Sequence, residues 1–417
     1  MIKKDKVIIA ALFKGKPCEE HQNQINELEQ LVVTLGGEVI DVVTQYKNII
    51  DPKFFLGKGK LDTIYRYARE KKCNYVVINN DITASHIKNI QAFFKDKLFV
   101  KDRIGIILDI FKKHARTRES KTQVKLAQLE YHLPRLTRQW THLERQMGGI
   151  GTRGGPGETQ IEVDRRLIRE QIIKLKKELL LISKRRKVQK KNRKNLFKVS
   201  LIGYTNAGKS SIMKKMTNKD IYIKDELFAT LETKTKKVSI DKNNKFILSD
   251  TVGFIRSLPD NLIASFRSTL GELEDSDLLL KIVDASSNEY ANHLASIDEV
   301  LHHLNISKKL AIIIFNKIDK LNDVNRINKL KKIYPQAIFV SAVNNLNILS
   351  IFKKIKSFIN KEKISEIIKI NYNNYNQISE IYKHLEVKKR TDKADYVKLK
   401  VYGKEEVIKS LINKIKE

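Results

Sequence analysis

The 417-residue sequence predicts an α/β multidomain chain: an N-terminal α/β domain, a helical linker, a second domain with a mostly parallel sheet, and a small α+β C-terminal module. Three observations predict it. Short apolar runs alternate with helical periodicity in two separate stretches, a long basic helical segment lies between them, and an apolar strand leads into a G-x-x-x-x-G-K-S loop at Gly203 to Ser210. The length exceeds one typical domain and suits boundaries at 1–110, 111–197, 198–360 and 361–417.

In the first segment, KVIIAALF (6–13) reads as a strand, and 19–35 as a helix with Ile25, Leu28, Leu31, Val32 and Leu35 on one face. EVIDVV (38–43), YVVINN (75–80) and KLFV (97–100) are further short strands, with helices expected near 60–72 and 84–95. Strands separated by helices imply a largely parallel sheet.

Residues 112–146 lose that alternation and read as helical. The cluster GGIGTRGGPGE (148–158) follows, and its six glycines and one proline make it a loop. The stretch 161–196 then reads as one long helix with 14 basic and four acidic residues, and 184–194 contains no acid at all. So few apolar residues in its last part leave two readings, a solvated face or an arm that meets RNA.

From 198 the α/β pattern returns in FKVSLIG, KKVSI, KFILSD, LLLKIVD, KLAIIIFNK and AIFVSA. The final module opens with an Asn- and Tyr-containing linker, then YVKLKVYG (396–403) alternates as a strand and KEEVIKSLINKIKE closes as a helix.

Composition bounds the partners. A net charge of +33 points to a polyanion, nucleic acid before membrane, although codon bias towards Lys, Ile and Asn is a bland source of the same figure. A hydrophobic fraction of 41% argues against global disorder. No apolar run approaches the roughly 20 residues that span a bilayer, so membrane insertion is not expected. The start MIKKDKVIIAALFKGK turns charged again too soon for a secretory signal. Cys18 and Cys73 are too few for a disulfide framework or a zinc site, which suits a reducing cytoplasm.

The chemistry concentrates in 199–211, VSLIGYTNAGKSS. Strand, loop and helix there make a phosphate-binding turn: Gly203, Tyr204, Thr205, Asn206, Ala207 and Gly208 curl their amides around phosphates, and the helix N-terminus adds positive potential. Lys209 is expected to reach the β- and γ-phosphates, and the Ser210 hydroxyl to ligate Mg²⁺. LSDTVGF (248–254) places Asp250 beyond an apolar strand, where it would hold the water shell of the metal. Gly253 would offer its amide to the γ-phosphate, and Thr230, in LFATLETKT, a hydroxyl to the metal while that phosphate is present. Lys209, Thr230 and Gly253 are therefore the expected catalytic residues.

AIIIFNKID (311–319) addresses the base. The Asp319 carboxylate can accept both the ring N–H and the exocyclic amine of guanine, a pair that adenine lacks. Asn316 would brace the loop, Lys317 lie along the base plane, and Ser341 and Ala342 address the guanine oxygen through their backbone. The ordered set predicts GTP as substrate and a P-loop GTPase domain with a Ras-like, mostly parallel sheet. Phe254 departs from Ras-like enzymes, in which a glutamine at this position orients the attacking water. Its ring cannot do that, so slow intrinsic hydrolysis is expected, with an outside surface supplying the missing order.

Over nearly its whole length the chain resembles the HflX family of ribosome-associated GTPases, within the larger Obg-like group. FFLGKGKLDTI (54–64), DRIGIILDIFKKHARTRESKTQVKLAQLEYHLPRL (102–136) and HLERQMGGIGTRGGPGETQIEVDRR (142–166) carry the resemblance, together with GYTNAGKS, LFATLET, DTVGF, NKID and SA. The resemblance implies that Ser210 and Thr230 ligate Mg²⁺. It also implies nucleotide contacts from the phosphate loop, from Phe228, Ala229, Thr230, Leu231 and Glu232, from Asp250, Thr251, Val252 and Gly253, from Asn316, Lys317, Ile318 and Asp319, and from Ser341, Ala342 and Val343. It further implies a cytoplasmic, partly ribosome-associated protein, and nothing in the sequence requires more than a monomer. Its partners would be GTP, GDP and the large (50S) ribosomal subunit with its RNA, and some members split idle or stalled ribosomes under stress. RGGPGE carries one glycine more than the family's RGPGE, and LETKT replaces the commoner aspartate-proline after the switch threonine. Large-subunit assembly is the alternative role. An RNA-remodelling ATPase and a GTP-binding scaffold without turnover are the readings from other classes.

Overall fold

The computed structural model describes residues 5–95, 97–136, 160–190, 196–217, 227–228, 233–241, 244–251, 253–254, 267–321, 323–361, 363–371 and 376–416. Its first sheet follows from β1 (Lys6–Phe13), which is apolar at almost every position and therefore belongs at the centre of a sheet covered on both faces. Strands β2 (Glu38–Tyr46), β3 (Tyr75–Ile78) and β4 (Phe99–Asp102) pair parallel in the order β2-β1-β3-β4. Alternation along β1 divides the core. Val7 and Ile9 pack with Leu28 and Leu31 of α1 (Glu19–Leu35) and with Ile107 and Ile110 of α4 (Arg103–His114). Ile8, Ala10 and Leu12 meet Leu61 and Ile64 of α2 (Lys58–Glu70) and Ile90 of α3 (Ala84–Phe93).

The stretch read as helical from 112 breaks at 115–117. Ala115 is extended, and the Thr117 hydroxyl accepts the Ser120 amide 3.2 Å away to cap α5 (Arg118–His132). Helix α6 (Gln160–Lys190) lies on α5 through Leu126, Leu129, Ile168 and Ile172. Arg118–Glu178 at 2.7 Å and Lys176–Glu130 at 2.8 Å flank that seam. The glycine cluster 148–158 lies outside the described residues.

The second sheet has six strands in the order β10-β9-β8-β5-β7-β6. These are β5 (Phe197–Gly203), β6 (Lys234–Ser239), β7 (Lys245–Asp250), β8 (Leu278–Asp284), β9 (Ala311–Asn316) and β10 (Ile338–Phe339). Among the described strands only β6 runs antiparallel, on the edge against β7, so the sheet is mostly parallel. Helices α7 (Lys209–Thr217) and α11 (Ile348–Lys361) cover one face. Helices α8 (Arg267–Glu274), α9 (Tyr290–His303) and α10 (Val324–Ile333) supply the other.

The linker expected to open the C-terminal module is instead partly a strand, β11 (Lys363–Asn371). It is followed by α12 (Asn376–His384), β12 (Glu386–Asp392), β13 (Tyr396–Lys404) and α13 (Glu405–Lys416), and β13 is the antiparallel centre of β11-β13-β12. Ile368 and Ile370 are its buried positions, while exposed Glu366, Ile367 and Lys369 between and before them blur the alternation. Among the described residues, no helix is long and apolar enough to cross a membrane.

Candidate functional site

The phosphate loop grows from the C-terminal end of the central strand β5, where ligands of open parallel sheets gather. Asn206 and Gly208 take positive φ values of 58° and 90° to close the turn. At Gly208 a side chain is disfavoured on two counts, the positive φ and a Cβ that would lie 2.2 Å from the Asn316 Nδ2. Lys209 opens α7 and is buried, its Nζ donating to the Gly203 carbonyl at 3.0 Å and the Tyr204 carbonyl at 2.8 Å. Burial pulls its pKa down to about 8, against the opposing charge of Asp250.

Asp250 ends β7 fully buried, and the Ser210 hydroxyl donates to its Oδ2 at 2.6 Å. Gly253 approaches so closely that a Cβ there would fall 3.0 Å from the Lys209 Nζ and 2.9 Å from the Thr205 Cγ2. The segment is tied to the loop by backbone: the Phe254 amide donates to the Gly203 carbonyl at 3.1 Å, and the Thr205 amide to the Phe254 carbonyl at 2.7 Å. Thr251 faces away, its hydroxyl donating to the Leu201 carbonyl at 2.7 Å within the sheet. The Phe254 ring is 2% exposed and packs with Ile202, Leu273 and Leu279, which holds it in the core.

Asn316 is the hinge between the phosphate and base sides. It ends β9 buried, its Nδ2 donates to the Ala207 carbonyl at 2.9 Å, and its Oδ1 accepts the Ala342 amide at 3.1 Å. Lys317 takes a left-handed φ of 62° and reaches Asp284 at 2.9 Å. Burial raises the Asp284 pKa, but hydrogen bonds from Ser286 and the Lys317 charge together hold it below the ordinary carboxylate value. Asp319 is exposed and accepts the hydroxyl of fully buried Ser341, which in turn accepts the Asn344 amide at 3.1 Å. Ile318 donates its amide to the Val340 carbonyl at 3.3 Å, and Val343 is 72% exposed at the rim.

The structure thus brings Gly203 to Ser210, Asp250, Gly253, Asn316 to Asp319, Ser341 and Ala342 to one end of the sheet. Ala229, Thr230, Leu231, Glu232 and Val252 lie outside the described residues. Among those described, no group of three or more His, Cys, Asp or Glu side chains could hold a metal. What the site offers is a hydroxyl and a carboxylate, hard oxygen donors 2.6 Å apart beside a lysine, the few protein groups that suit Mg²⁺ shared with substrate phosphates.

Sequence reasoning missed how far the loop reaches into the N-terminal domain. The Tyr204 ring stacks on His293 with centroids 4.0 Å apart, and its hydroxyl donates to Glu27 Oε1 of α1 at 2.5 Å. Glu27 also holds Arg103 at 2.6 Å, which bonds Asn79 at the end of β3. Phe228, buried at 2% exposure, packs edge-on against Phe111 of α4 at 4.8 Å. A separation of 177 residues between Glu27 and Tyr204 leaves no local signal. Asp284 had one, since it ends an apolar strand as Asp250 and Asn316 do.

Known proteins agree on the family. The chain matches family models described as GTP-binding GTPase N-terminal over 22–112, GTP-binding GTPase Middle Region over 114–193, and 50S ribosome-binding GTPase over 198–317. It is 44% identical to GTPase HflX of Flavobacterium psychrophilum over 75% of each chain. Identity is 39% to the Caldanaerobacter subterraneus GTPase HflX, over 86% of this chain and 82% of that one. For Escherichia coli GTPase HflX it is 38%, over 73% and 71%. Among solved structures, a GTP-binding protein from Sulfolobus solfataricus in complex with GDP is 28% identical, with a TM-score of 0.42 over 84% of this chain and 97% of that one. On the strength of these sequence matches, the chain belongs to the HflX family of GTPases.

Proposed function

We propose that this protein is a GTP-controlled factor that docks on the large ribosomal subunit, hydrolyses GTP to GDP and phosphate there, and parts the subunits of idle or stalled ribosomes under stress. The observation that carries the nucleotide reading is Asn316, which bonds the phosphate loop at Ala207 and the base loop at Ala342 and so holds both halves of a guanine-nucleotide site in register. The ribosomal partner rests on the match of residues 198–317 to a 50S ribosome-binding GTPase model.

In this reading the amides of Tyr204 to Ser210 cradle the α- and β-phosphates. Lys209 exchanges its loop carbonyls for β- and γ-phosphate oxygens, and a charged ligand restores the proton that burial weakens. Ser210, with Thr230, would hold Mg²⁺ and Asp250 would support it. When bound, the ion would neutralise negative charge on the substrate phosphates. Asp319 accepts two guanine donors, Lys317 lies along the base plane, and the Ser341 and Ala342 backbone addresses the guanine oxygen. Water attacks the γ-phosphorus, the bond to the β-γ bridging oxygen breaks, and that oxygen leaves on GDP. Gly253 donates its amide to the γ-phosphate and so senses its loss.

Phe254, packed in the core, offers the water nothing. Slow turnover follows until a docked subunit orders the switches. Tyr204 and Phe228 connect the site to Glu27 and Phe111 of the N-terminal domain, so nucleotide and subunit affinities are coupled, and linkage makes that coupling mutual. Sedimentation with joined ribosomes tests the docking and splitting steps. Free large subunits carrying the protein are expected with a non-hydrolysable GTP analogue and not with GDP. Ribosomes left joined and bare in both nucleotides would contradict the proposal.

A further inference from the structure

We infer that the open face of the C-terminal sheet is a binding platform for single-stranded RNA, a site separate from the nucleotide pocket and from the basic helix α6. The inference rests on the module's own geometry and does not depend on the GTPase reading.

Residues alternate along the central strand β13. Val397, Leu399 and Val401 are fully buried and pack with Ile378 and Ile381 of α12 and Ile408 and Leu411 of α13. Both helices therefore cover one face, and Tyr396, Lys398, Lys400 and Tyr402 fall on the other.

That second face is built against its own electrostatics. Lys398 pairs directly across from Lys369 and Lys400 from Lys389, while Lys363, at the far end of β11, donates to the Asn244 Oδ1 at 2.8 Å. Like charges in cross-strand register destabilise a sheet. Glu386, the carboxylate that the register sets opposite Tyr402, is engaged by Lys388 at 2.8 Å. A row of lysine pairs that opposes folding gains favourable free energy when a chain of phosphates lies along it.

The same face carries planar and apolar surface between the charges. Lys369 lies 5.5 Å over the Tyr396 ring, and Lys363 and Lys388 lie 5.6 and 5.3 Å over the Tyr402 ring. Tyr402 is held by its hydroxyl, which donates to the Asn360 carbonyl at 3.0 Å. Ile367, opposite Lys400, is half exposed. Rings interleaved with lysines on a sheet match what unpaired bases need, a stacking surface beside phosphate contacts. A duplex hides its base faces and would use the lysines alone.

The test uses the full chain with the basic residues of 184–194 neutralised, so that α6 does not mask the platform. The probe is a short fluorescent oligouridylate containing 4-thiouridine. Photocrosslinks are expected in 396–404. Lys398→Gln with Lys400→Gln, and Tyr396→Leu alone, are each expected to weaken binding about tenfold. Tyr396→Phe, which keeps the ring, should retain parental affinity and also controls for folding, and GTP turnover should not change in any variant. Crosslinks confined to other segments, or Tyr396→Leu binding as tightly as the parent, would overturn the inference. So would loss of affinity for duplex RNA or for anionic phosphatidylserine vesicles while oligouridylate binding is unaffected.

Discussion

Lys209 carries the sharpest expectation at the scale of single residues. Its pKa of about 8 in the free protein must rise when phosphates surround the ammonium, so binding takes up a proton wherever the free lysine has lost one. GTP affinity should therefore be flat below pH 8 and fall with a slope approaching tenfold per pH unit above it, measured by calorimetry between pH 7 and 9. Lys209→Ala should abolish the slope along with most of the affinity. On the proposed reading Asp319 selects the base: Asp319→Asn should lower GTP affinity on the order of 100-fold and shift preference to xanthosine triphosphate, whose ring presents the complementary acceptor. Retained GTP preference in a competition assay would remove Asp319 from this role. These residues were legible in the sequence because phosphate and guanine chemistry dictate residue type and spacing locally. The side-chain destination of Tyr204 was not, because its partner Glu27 sits on another domain.

Elements join the two sheets where Phe228 meets Phe111 and where Tyr204 meets Glu27. Phe111 is 2% exposed within the cluster that spans both domains. Phe111→Ala should cost about 3–5 kcal/mol in thermal unfolding and accelerate GTP release by loosening the Phe228 segment, seen in stopped-flow with a fluorescent nucleotide. Unchanged release despite the stability loss would uncouple the N-terminal domain from the switch. At this scale the sequence was legible wherever burial was two-sided or strongly periodic, as in β1, β5 and α1. It was least legible at β11 and β12, edge strands with one face turned to solvent and lysines in it. The break between α4 and α5 was signalled only by the capping hydroxyl of Thr117.

Across the whole molecule, charge is the organising quantity. Of a net +33, 161–196 holds 14 basic residues against four acidic ones, and the apolar stripe of α6 is occupied by α5. Neutralising the basic residues of 184–194 should weaken large-subunit binding about tenfold or more and flatten its salt dependence, with free-protein GTP affinity unchanged. Filter binding at several salt concentrations reads both quantities, and a parallel loss of GTP affinity would place that segment in the nucleotide domain's packing instead. The most direct measurement is GTP turnover with and without purified large subunits across a salt series. Slow turnover alone, stimulation of at least about tenfold by subunits at low salt, and loss of that stimulation as salt rises is the predicted pattern. A rate that large subunits leave unchanged at every salt concentration, from protein that still binds GTP, would contradict it.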